Sequence, residues 1–262
     1  MSSVINLGFV SIHLYSICLM IAIIIGYELI VKESACHGFN KDDIGNMMFY
    51  AIVFGVIGAR IYYCLFNLDY YLNDFLSIFK VWEGGLAIHG GIIFGALTVY
   101  IFCKKKNYNF LLVLDFIVVG LLLAQAIGRW GNFFNGEAHG PVTSLSYLKS
   151  LYLPKFIIDG MFIDGNYYIP TFLYESLWCF LGFIILYLFR HKSFVKVGYV
   201  TGFYFIWYSI CRFFVESLRT DSLMLFSLKM AQVVSIFMFV IGIFIIIYSY
   251  FKSDIYRGEK YD

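Results

Sequence analysis

Charged residues are scarce in this chain. Lys, Arg, Asp and Glu together make up 14% of its 262 residues, whereas soluble domains carry roughly 25%. Apolar residues make up 61%, and the mean hydropathy is positive. This composition excludes an ordinary soluble domain and predicts an integral membrane protein. The net charge of +2 comes from basic residues in short, separated groups, so no nucleic acid partner is predicted.

Proline and metal-ligand patterns are also lacking. Three prolines and no long Ser, Gly or Pro run mean that nothing marks a linker, so we predict one polytopic membrane domain over residues 1–262. The six cysteines form no CxxC pair, and we expect buried, inert thiols. With no cluster of Cys and His, we expect no metal and no cofactor. A signal-peptide cleavage site is missing, so the first apolar segment should be retained.

Seven apolar stretches are long enough to cross a bilayer, for which a helix needs about 20 residues. They are His13–Val31, Ile44–Phe66, Gly85–Cys103, Phe110–Trp130, Thr171–Phe189, Gly198–Glu216 and Met230–Phe251. The sequence therefore predicts an all-α integral membrane protein with seven transmembrane helices.

The basic residues in the connections predict the orientation, because cytoplasmic loops are rich in Lys and Arg. Eleven fall on one side, namely Lys32, Lys41, Lys104, Lys105, Lys106, Arg190, Lys192, Lys196, Lys252, Arg257 and Lys260. Five fall on the other, namely Lys80, Lys149, Lys155, Arg219 and Lys229. We therefore place the N-terminus outside and the C-terminus in the cytoplasm.

Two external connections are longer than the rest. An arm of about residues 68–84 contains Tyr70, Tyr71 and Trp82, which suit the headgroup level of a membrane. A head segment of about residues 132–170 contains "IIDGMFIDGNYYIP", with two Asp-Gly pairs between β-favouring residues. This pattern predicts a strand-turn-strand element outside the bilayer.

Ionisable residues interrupt the apolar spans, although such groups are costly at membrane depth. They are Arg60, His89, Asp115, Arg129, Glu137, Glu175, Arg212 and Glu216. Most fall toward the outer ends of their helices under the predicted orientation. Three guanidiniums indicate a bound anion, and a phospholipid headgroup is the abundant phosphate in a membrane. Tyr208, Arg212 and Glu216 follow one another at intervals of four, so they share one helix face.

Each of these residues also has a purely structural interpretation. Arg60 could snorkel to the surface or pair with an acid, and His89 could be a packing histidine. Asp115 lies near the cytoplasmic end, where a capping or topological role is common. Glu175 could simply neutralise an arginine. The cluster "GRWGNFFNGEAHG" (Gly128–Gly140), with its arginine, two asparagines and glutamate, is harder to explain by structure alone.

These motifs resemble the prolipoprotein diacylglyceryl transferase family of bacteria, whose signature runs G-R-x-x-N-F-x-N-x-E-x-x-G. The resemblance continues through "IHLY" with Tyr15, "GAR" with Arg60 and "VWEGGLAIHGG" with His89. It extends to "PTFLYES" (Pro170–Ser176) and "YSICRFFVESLR" (Tyr208–Arg219). The chain departs from the family pattern at Ser16, Ser209, "RTDS" and Ala231, which leaves the charged set intact.

The resemblance implies an enzyme of the bacterial plasma membrane, multi-pass, with its active site toward the outer leaflet. Such enzymes move the diacylglyceryl group of phosphatidylglycerol onto the lipobox cysteine of a prolipoprotein signal peptide. A thioether forms, and glycerol phosphate is released. The substrates implied are phosphatidylglycerol and prolipoproteins within the lipid bilayer.

We assign roles by hypothesis, as the resemblance implies them. Arg129 and Arg212 clamp the lipid phosphate, Asn132 and Glu137 orient headgroup and clamp, and Tyr15 and Tyr208 donate hydrogen bonds. His89 is the candidate base, because imidazole titrates near neutral pH; alternatively, His89 positions lipid and the arginine field alone favours the thiolate. Glu216 and Arg219 are expected to form a pair behind the site, or a gate for the signal peptide, and Arg60 is grouped with them.

Two other functions remain open from the sequence. A phospholipid or anion transporter would use the same arginines as a binding site, but the cytoplasmic halves of the spans are nearly unbroken apolar runs. A lipid-binding paralogue with weakened activity would fit the departures from the family pattern.

Overall fold

A computed structural model of the chain describes residues 4–6, 11–219, 224–225, 228–252 and 254–256. In chain order the elements are β1 (Val4–Asn6), β2 (Ser11–His13), α1 (Leu14–Cys36), α2 (Lys41–Leu65), α3 (Leu68–Asn73), two 3-10 helices (Phe75–Phe79 and Val81–Glu83), α4 (Ile88–Lys106), α5 (Phe110–Asn135), β3 (Val142–Thr143), α6 (Leu145–Ser150), α7 (Lys155–Gly160), β4 (Phe162–Ile163), β5 (Asn166–Tyr168), α8 (Thr171–Phe189), α9 (Tyr199–Leu218), β6 (Met224–Leu225), β7 (Leu228–Lys229) and α10 (Met230–Lys252).

The long helices fall where the apolar stretches predicted them, and the chain is a multi-helix membrane protein. Six of them, α1, α2, α4, α5, α8 and α10, are long and apolar enough to cross a membrane. The seventh, α9, is not among these candidates; it carries Arg212 and Glu216. Seven crossings and the orientation therefore stay predictions. Thr220–Ser222, Arg257 and Lys260, on which the sequence arguments drew, lie outside the described residues.

The chain divides into two compact units. The first comprises Met1–Ile30 and Leu114–Asp262, and the second comprises Val31–Val113. Within the first, α9 packs against α8 and α10; within the second, α2 packs against α4. That the whole chain is one membrane domain stays a prediction.

The head segment contains a small antiparallel sheet in the order β3-β5-β4. Asp164 and Gly165 connect β4 to β5, both at positive φ (47° and 85°), as a tight hairpin turn requires. The predicted strand-turn-strand element is therefore confirmed for this Asp-Gly pair. The prediction was wrong for Asp159–Gly160, which ends the short helix α7. That segment is helical because Ile157 and Ile158 turn into the head's apolar core.

The arm consists of α3 and the two 3-10 helices. Several of its apolar side chains are more than 60% exposed, namely Leu72, Phe75, Leu76, Phe79 and Trp82. Tyr70 is also exposed, whereas Tyr71 is only 6% exposed. The Tyr71 ring packs under the Arg60 guanidinium, which lies 5.3 Å from the ring centroid, and the placement of the arm at the headgroup level stays a prediction.

The cysteines are all free thiols. Cys64, Cys103, Cys179 and Cys211 are buried, as expected, but Cys18 and Cys36 are partly exposed. Cysteine behaves as a small hydrophobe, which is compatible with a partly exposed position on an apolar helix.

Asp115 on α5 caps the N-terminus of α9, which confirms the capping interpretation of this residue. Its carboxylate is fully buried. One oxygen accepts the Gly198 N–H at 2.6 Å, and the other accepts the Thr201 N–H at 2.7 Å and the Thr201 hydroxyl at 2.5 Å. An anion here satisfies backbone donors that have no partner within their own helix.

We predict that Asp115→Ala destabilises the protein by about 2–4 kcal/mol, because buried backbone donors lose a charged acceptor. Thermal unfolding in detergent measures the effect. Thr201→Val is the matched control: it removes only the hydroxyl bond and should cause a smaller loss. An unchanged melting temperature for Asp115→Ala would contradict the capping role.

Candidate functional site

The polar residues of the segment Gly128–Gly140 lie at the C-terminal end of α5, which is predicted to face the exterior. Three of them form a chain of hydrogen bonds, called the relay below. Arg129 and Asn132 are three residues apart and so share a helix face. An Arg129 guanidinium nitrogen donates to Asn132 Oδ1 at 3.4 Å, and Asn132 Nδ2 donates to Glu137 Oε1 at 2.8 Å. After α5 ends, the Glu137 N–H returns to the Asn132 carbonyl. The relay therefore fixes the direction of the Arg129 side chain.

Glu175 on α8 bridges Arg129 and Arg212, the two arginines predicted to bind the phosphate together. One carboxylate oxygen forms an ion pair with Arg129. The other accepts a hydrogen bond from Arg212 Nη1 at 3.1 Å. Two guanidiniums from separate helices, α5 and α9, thus converge on one carboxylate.

The α9 face contributes the rest of the cluster, as its four-residue spacing predicted. Arg212 Nη2 lies 2.7 Å from Glu216 Oε2, one helical turn away. One turn in the other direction, the Tyr208 hydroxyl lies beside Arg129. Each terminal nitrogen of the Arg212 guanidinium therefore binds a carboxylate, and the two bonds fix the orientation of the guanidinium plane.

Two cross-links hold α8 in the position from which Glu175 can reach both arginines. The Ser176 hydroxyl, next to Glu175, donates to the Ala126 carbonyl of α5 at 2.8 Å. Trp178 on α8 and Trp207 on α9 stack with ring centroids 4.4 Å apart, and each indole N–H donates to the other residue's carbonyl at 2.9 Å.

Among the ion-paired side chains the arginines are more exposed than the glutamates, whereas Glu137 of the relay is also exposed. Each glutamate side chain, Glu175 and Glu216, is 4% exposed, whereas Arg129 and Arg212 are 19% and 18% exposed. A guanidinium has five N–H donors. In the part of the chain that the structure describes, neither arginine has enough partners to use all five. The open side therefore offers positively charged donors to an anion.

Tyr15 lies at the same end of α5. A Cβ atom placed on Gly131 would come within 2.9 Å of the Tyr15 ring, so only glycine lets the ring lie this close to the helix. The structure thus brings Tyr15, Arg129, Asn132, Glu137, Tyr208, Arg212 and Glu216 into one unit.

The sequence predicted a pair between Glu216 and Arg219; the structure pairs Glu216 with Arg212, and the pairing with Arg219 stays a prediction. Arg219 follows α9 directly, and its carbonyl, with those of Glu216 and Ser217, accepts hydrogen bonds from Lys229 Nζ. Lys229 was not predicted as a site residue. A cation here satisfies the last carbonyls of the helix that carries Arg212.

Glu175 is the main residue that sequence reasoning missed as a member of the site. It was considered only as a neutralising acid. The available signal was a single carboxylate, within "PTFLYES", in a sequence with two arginines expected at the same depth. Glu175 bridges the arginines because side chains of three different helices point toward each other. Residue spacing along a single helix does not predict this.

His89 and Arg60 belong to the second unit. His89 is the second residue of α4 and is exposed; its ring centroid lies 6.1 Å from that of Tyr62. Arg60 neither snorkels nor pairs with an acid among the described residues. It is 6% exposed, and it binds backbone carbonyls of the arm and of the segment before α4.

Comparison with known proteins gives a consistent result over the chain. A family model described as prolipoprotein diacylglyceryl transferase matches residues 2–248. A Staphylococcus carnosus (strain TM300) protein named phosphatidylglycerol–prolipoprotein diacylglyceryl transferase is 47% identical over 257 residues, which cover 98% of this chain and 92% of that protein. A protein of the same name from Staphylococcus aureus (strain MSSA476) is 46% identical over 250 residues, 95% of this chain and 89% of that one.

We predict that Glu175→Gln destabilises the protein by about 3–5 kcal/mol, because two nearly buried guanidiniums then face each other without their shared counter-charge. Glu216→Gln is the matched control, since Arg212 keeps Glu175 in that variant, and a smaller loss is expected. Melting temperatures of the two variants in detergent decide the matter. Equal losses would mean that Glu175 has no bridging role.

Proposed function

The chain belongs to the prolipoprotein diacylglyceryl transferase family, and from this premise we propose that it transfers the diacylglyceryl group of phosphatidylglycerol to a prolipoprotein cysteine. The bond that breaks joins a glycerol carbon to a phosphate oxygen, and the bond that forms joins the same carbon to sulfur. Glycerol phosphate leaves with the electron pair of the broken bond. The reaction needs an anion site for the phosphate and a path for the thiol proton.

The convergence of Arg129 and Arg212 on Glu175 carries this proposal. Negative charge grows on the phosphate as the C–O bond breaks, and fixed guanidiniums beside it stabilise that charge. Because the glutamates hold the arginines before lipid arrives, little reorganisation accompanies the reaction. A pre-positioned donor of this kind typically contributes about 3–4 kcal/mol to the barrier reduction.

The neighbours of the arginines suit the rest of the headgroup. Asn132 and Glu137 offer amide and carboxylate groups to the glycerol hydroxyls, beside Arg129. Tyr208 adds a hydroxyl donor on the other flank, and Tyr15 lies against the same helix end. We assign these four residues to headgroup binding.

The attacking group is the substrate thiol, which must lose its proton first. A free cysteine has a pKa of about 8.5, and the thiolate is the nucleophile. We assign the proton transfer to His89, which is exposed at the start of α4. The alternative assignment leaves thiolate formation to the positive field of the arginines.

We also propose where the reaction takes place. The signature end of α5 and the C-terminal end of α9 lie on the side that the Lys and Arg distribution assigns to the exterior. The site is thus assigned to the outer leaflet of the bacterial plasma membrane. The second substrate is assigned as a signal peptide with a lipobox cysteine.

We predict that Arg129→Lys and Arg212→Ala each lower the rate of transfer by at least about 10²-fold. Lysine keeps the charge of Arg129 but lacks the planar fork that meets two oxygens at once. The assay uses purified protein, labelled phosphatidylglycerol and a lipobox peptide, with thioether product as the readout. Lys192→Arg is the control: Lys192 lies in a loop that is predicted to be cytoplasmic, and this variant should keep full activity.

Full turnover by Arg129→Lys would contradict the clamp. The same assay separates the other functions. Lipid flux across vesicles without product would indicate a transporter, and lipid or peptide binding alone would indicate a weakened paralogue. Either result with the wild-type protein would overturn the proposed activity.

We predict that His89→Asn slows transfer by roughly 10²–10⁴-fold, the usual contribution of a general base. Asparagine keeps a polar side chain of similar reach but cannot take up the proton. The loss should shrink as the pH is raised toward the pKa of the substrate thiol, because the thiolate then forms without a base. A near-wild-type rate at neutral pH would support the arginine field alone.

A further inference from the structure

Arg60 uses all five of its N–H donors on backbone carbonyls. Nε donates to the Ile78 carbonyl at 2.9 Å. Nη1 donates to Gly84 at 2.6 Å and Gly85 at 3.0 Å. Nη2 donates to Ser77 at 2.6 Å and Lys80 at 3.4 Å. One side chain of α2 thus fixes the backbone from Ser77 to Gly85.

This arrangement excludes Arg60 as an anion ligand. A cavity of about 360 Å³ borders it, lined also by Tyr63, Asn67 and Tyr70. A guanidinium whose donors all bind carbonyls has none left for a phosphate in that cavity. The contrast with Arg129 and Arg212, which keep donors open, separates the two kinds of arginine.

The glycines before α4 make this contact possible. Gly84 and Gly85 both have positive φ, 91° and 72°, which turns successive carbonyls toward the guanidinium. A Cβ atom on Gly85 would lie 2.5 Å from Arg60 Nη1. Contact with Arg60 on α2 therefore explains why "VWEGGLAIHGG" has glycine at positions 84 and 85.

The two residues that precede Arg60 hold the start of α4 as well. The Ala59 carbonyl accepts the Ala87 N–H at 3.0 Å. A Cβ atom on Gly90 would lie 2.3 Å from the Gly58 carbonyl oxygen, so the two helix backbones touch there. Gly58, Ala59 and Arg60 together hold the chain from Gly84 to Gly90, and His89 lies within this stretch.

We propose that Arg60 is a positioning residue that acts through His89. By fixing the Gly84 and Gly85 carbonyls, it sets where α4 begins and how its second residue is presented to the thiol. This inference rests on the proposed function, since His89 has a kinetic effect only if it takes part in transfer. Because its donors are all engaged by carbonyls, Arg60 is assigned no direct contact with lipid or thiol.

The kinetic test is a double-mutant cycle. Lysine at position 60 keeps the charge but cannot span five carbonyls, so Arg60→Lys should lower kcat by about 10–100-fold, as a misplacement near 1 Å does. The KM for phosphatidylglycerol should stay within about threefold. In a His89→Asn background, Arg60→Lys should have an effect below about threefold, because residues that act as a unit are not additive. If the kcat losses of Arg60→Lys and His89→Asn simply multiply in the double variant, the proposal is overturned.

The second test needs no activity. Hydrogen exchange of the purified protein should be faster at residues 84–90 in Arg60→Lys than in wild type, and unchanged at the C-terminal half of α4. Unchanged exchange at 84–90 would overturn the positioning claim. If the wild-type protein forms no thioether, the proposed function fails, and this measurement alone decides whether Arg60 holds the start of α4.

Asp74→Ala is the matched control for both tests. Asp74 accepts the Ser77 hydroxyl within the arm and has no contact with Arg60 among the described residues. The variant disturbs the arm but leaves the carbonyls around Gly84 in place, so kcat and exchange at 84–90 should match wild type. A loss of kcat in Asp74→Ala equal to that in Arg60→Lys would assign the effect to the arm as a whole and overturn the proposal.

Discussion

The site depends on one carboxylate held between two guanidiniums. Glu175 meets Arg129 through one oxygen and Arg212 through the other. Without it, α5 and α9 would each bring a positive charge to the same poorly solvated place, and the repulsion would oppose their packing against α8. With it, the charges attract the helices to a common centre. A buried ion pair is a weak source of net stability, but losing one partner is strongly destabilising.

Helix α9 is held at both ends by side chains of opposite charge from elsewhere in the chain. Asp115 binds the backbone donors at its start, and Lys229 binds the carbonyls at its end. Both charges match the helix dipole. Because Tyr208, Arg212 and Glu216 all lie on this helix, fixing its ends also fixes the height at which they meet α5 and α8.

Arg60, Arg129 and Arg212 differ in how many of their N–H donors are engaged. Arg60 is enclosed by five carbonyls and organises backbone. Arg129 and Arg212 are each held by carboxylates from behind and keep donors toward the open side. The same residue type therefore fixes backbone in one unit and, in the proposed function, binds the phosphate in the other. Counting charged residues in the sequence does not distinguish Arg60 from Arg129 and Arg212.

The sequence by itself determined the positions of the long helices, because apolar runs of about 20 residues have few alternatives in a membrane. It also determined the Asp164–Gly165 hairpin and the shared face of Tyr208, Arg212 and Glu216, since both follow from local geometry. Only the tertiary structure decided that Glu175 bridges two arginines, that Tyr71 is buried under Arg60, and that Asp159–Gly160 ends a helix. These outcomes depend on which side chains of distant segments meet, and a periodic pattern along one segment contains no information about its partner.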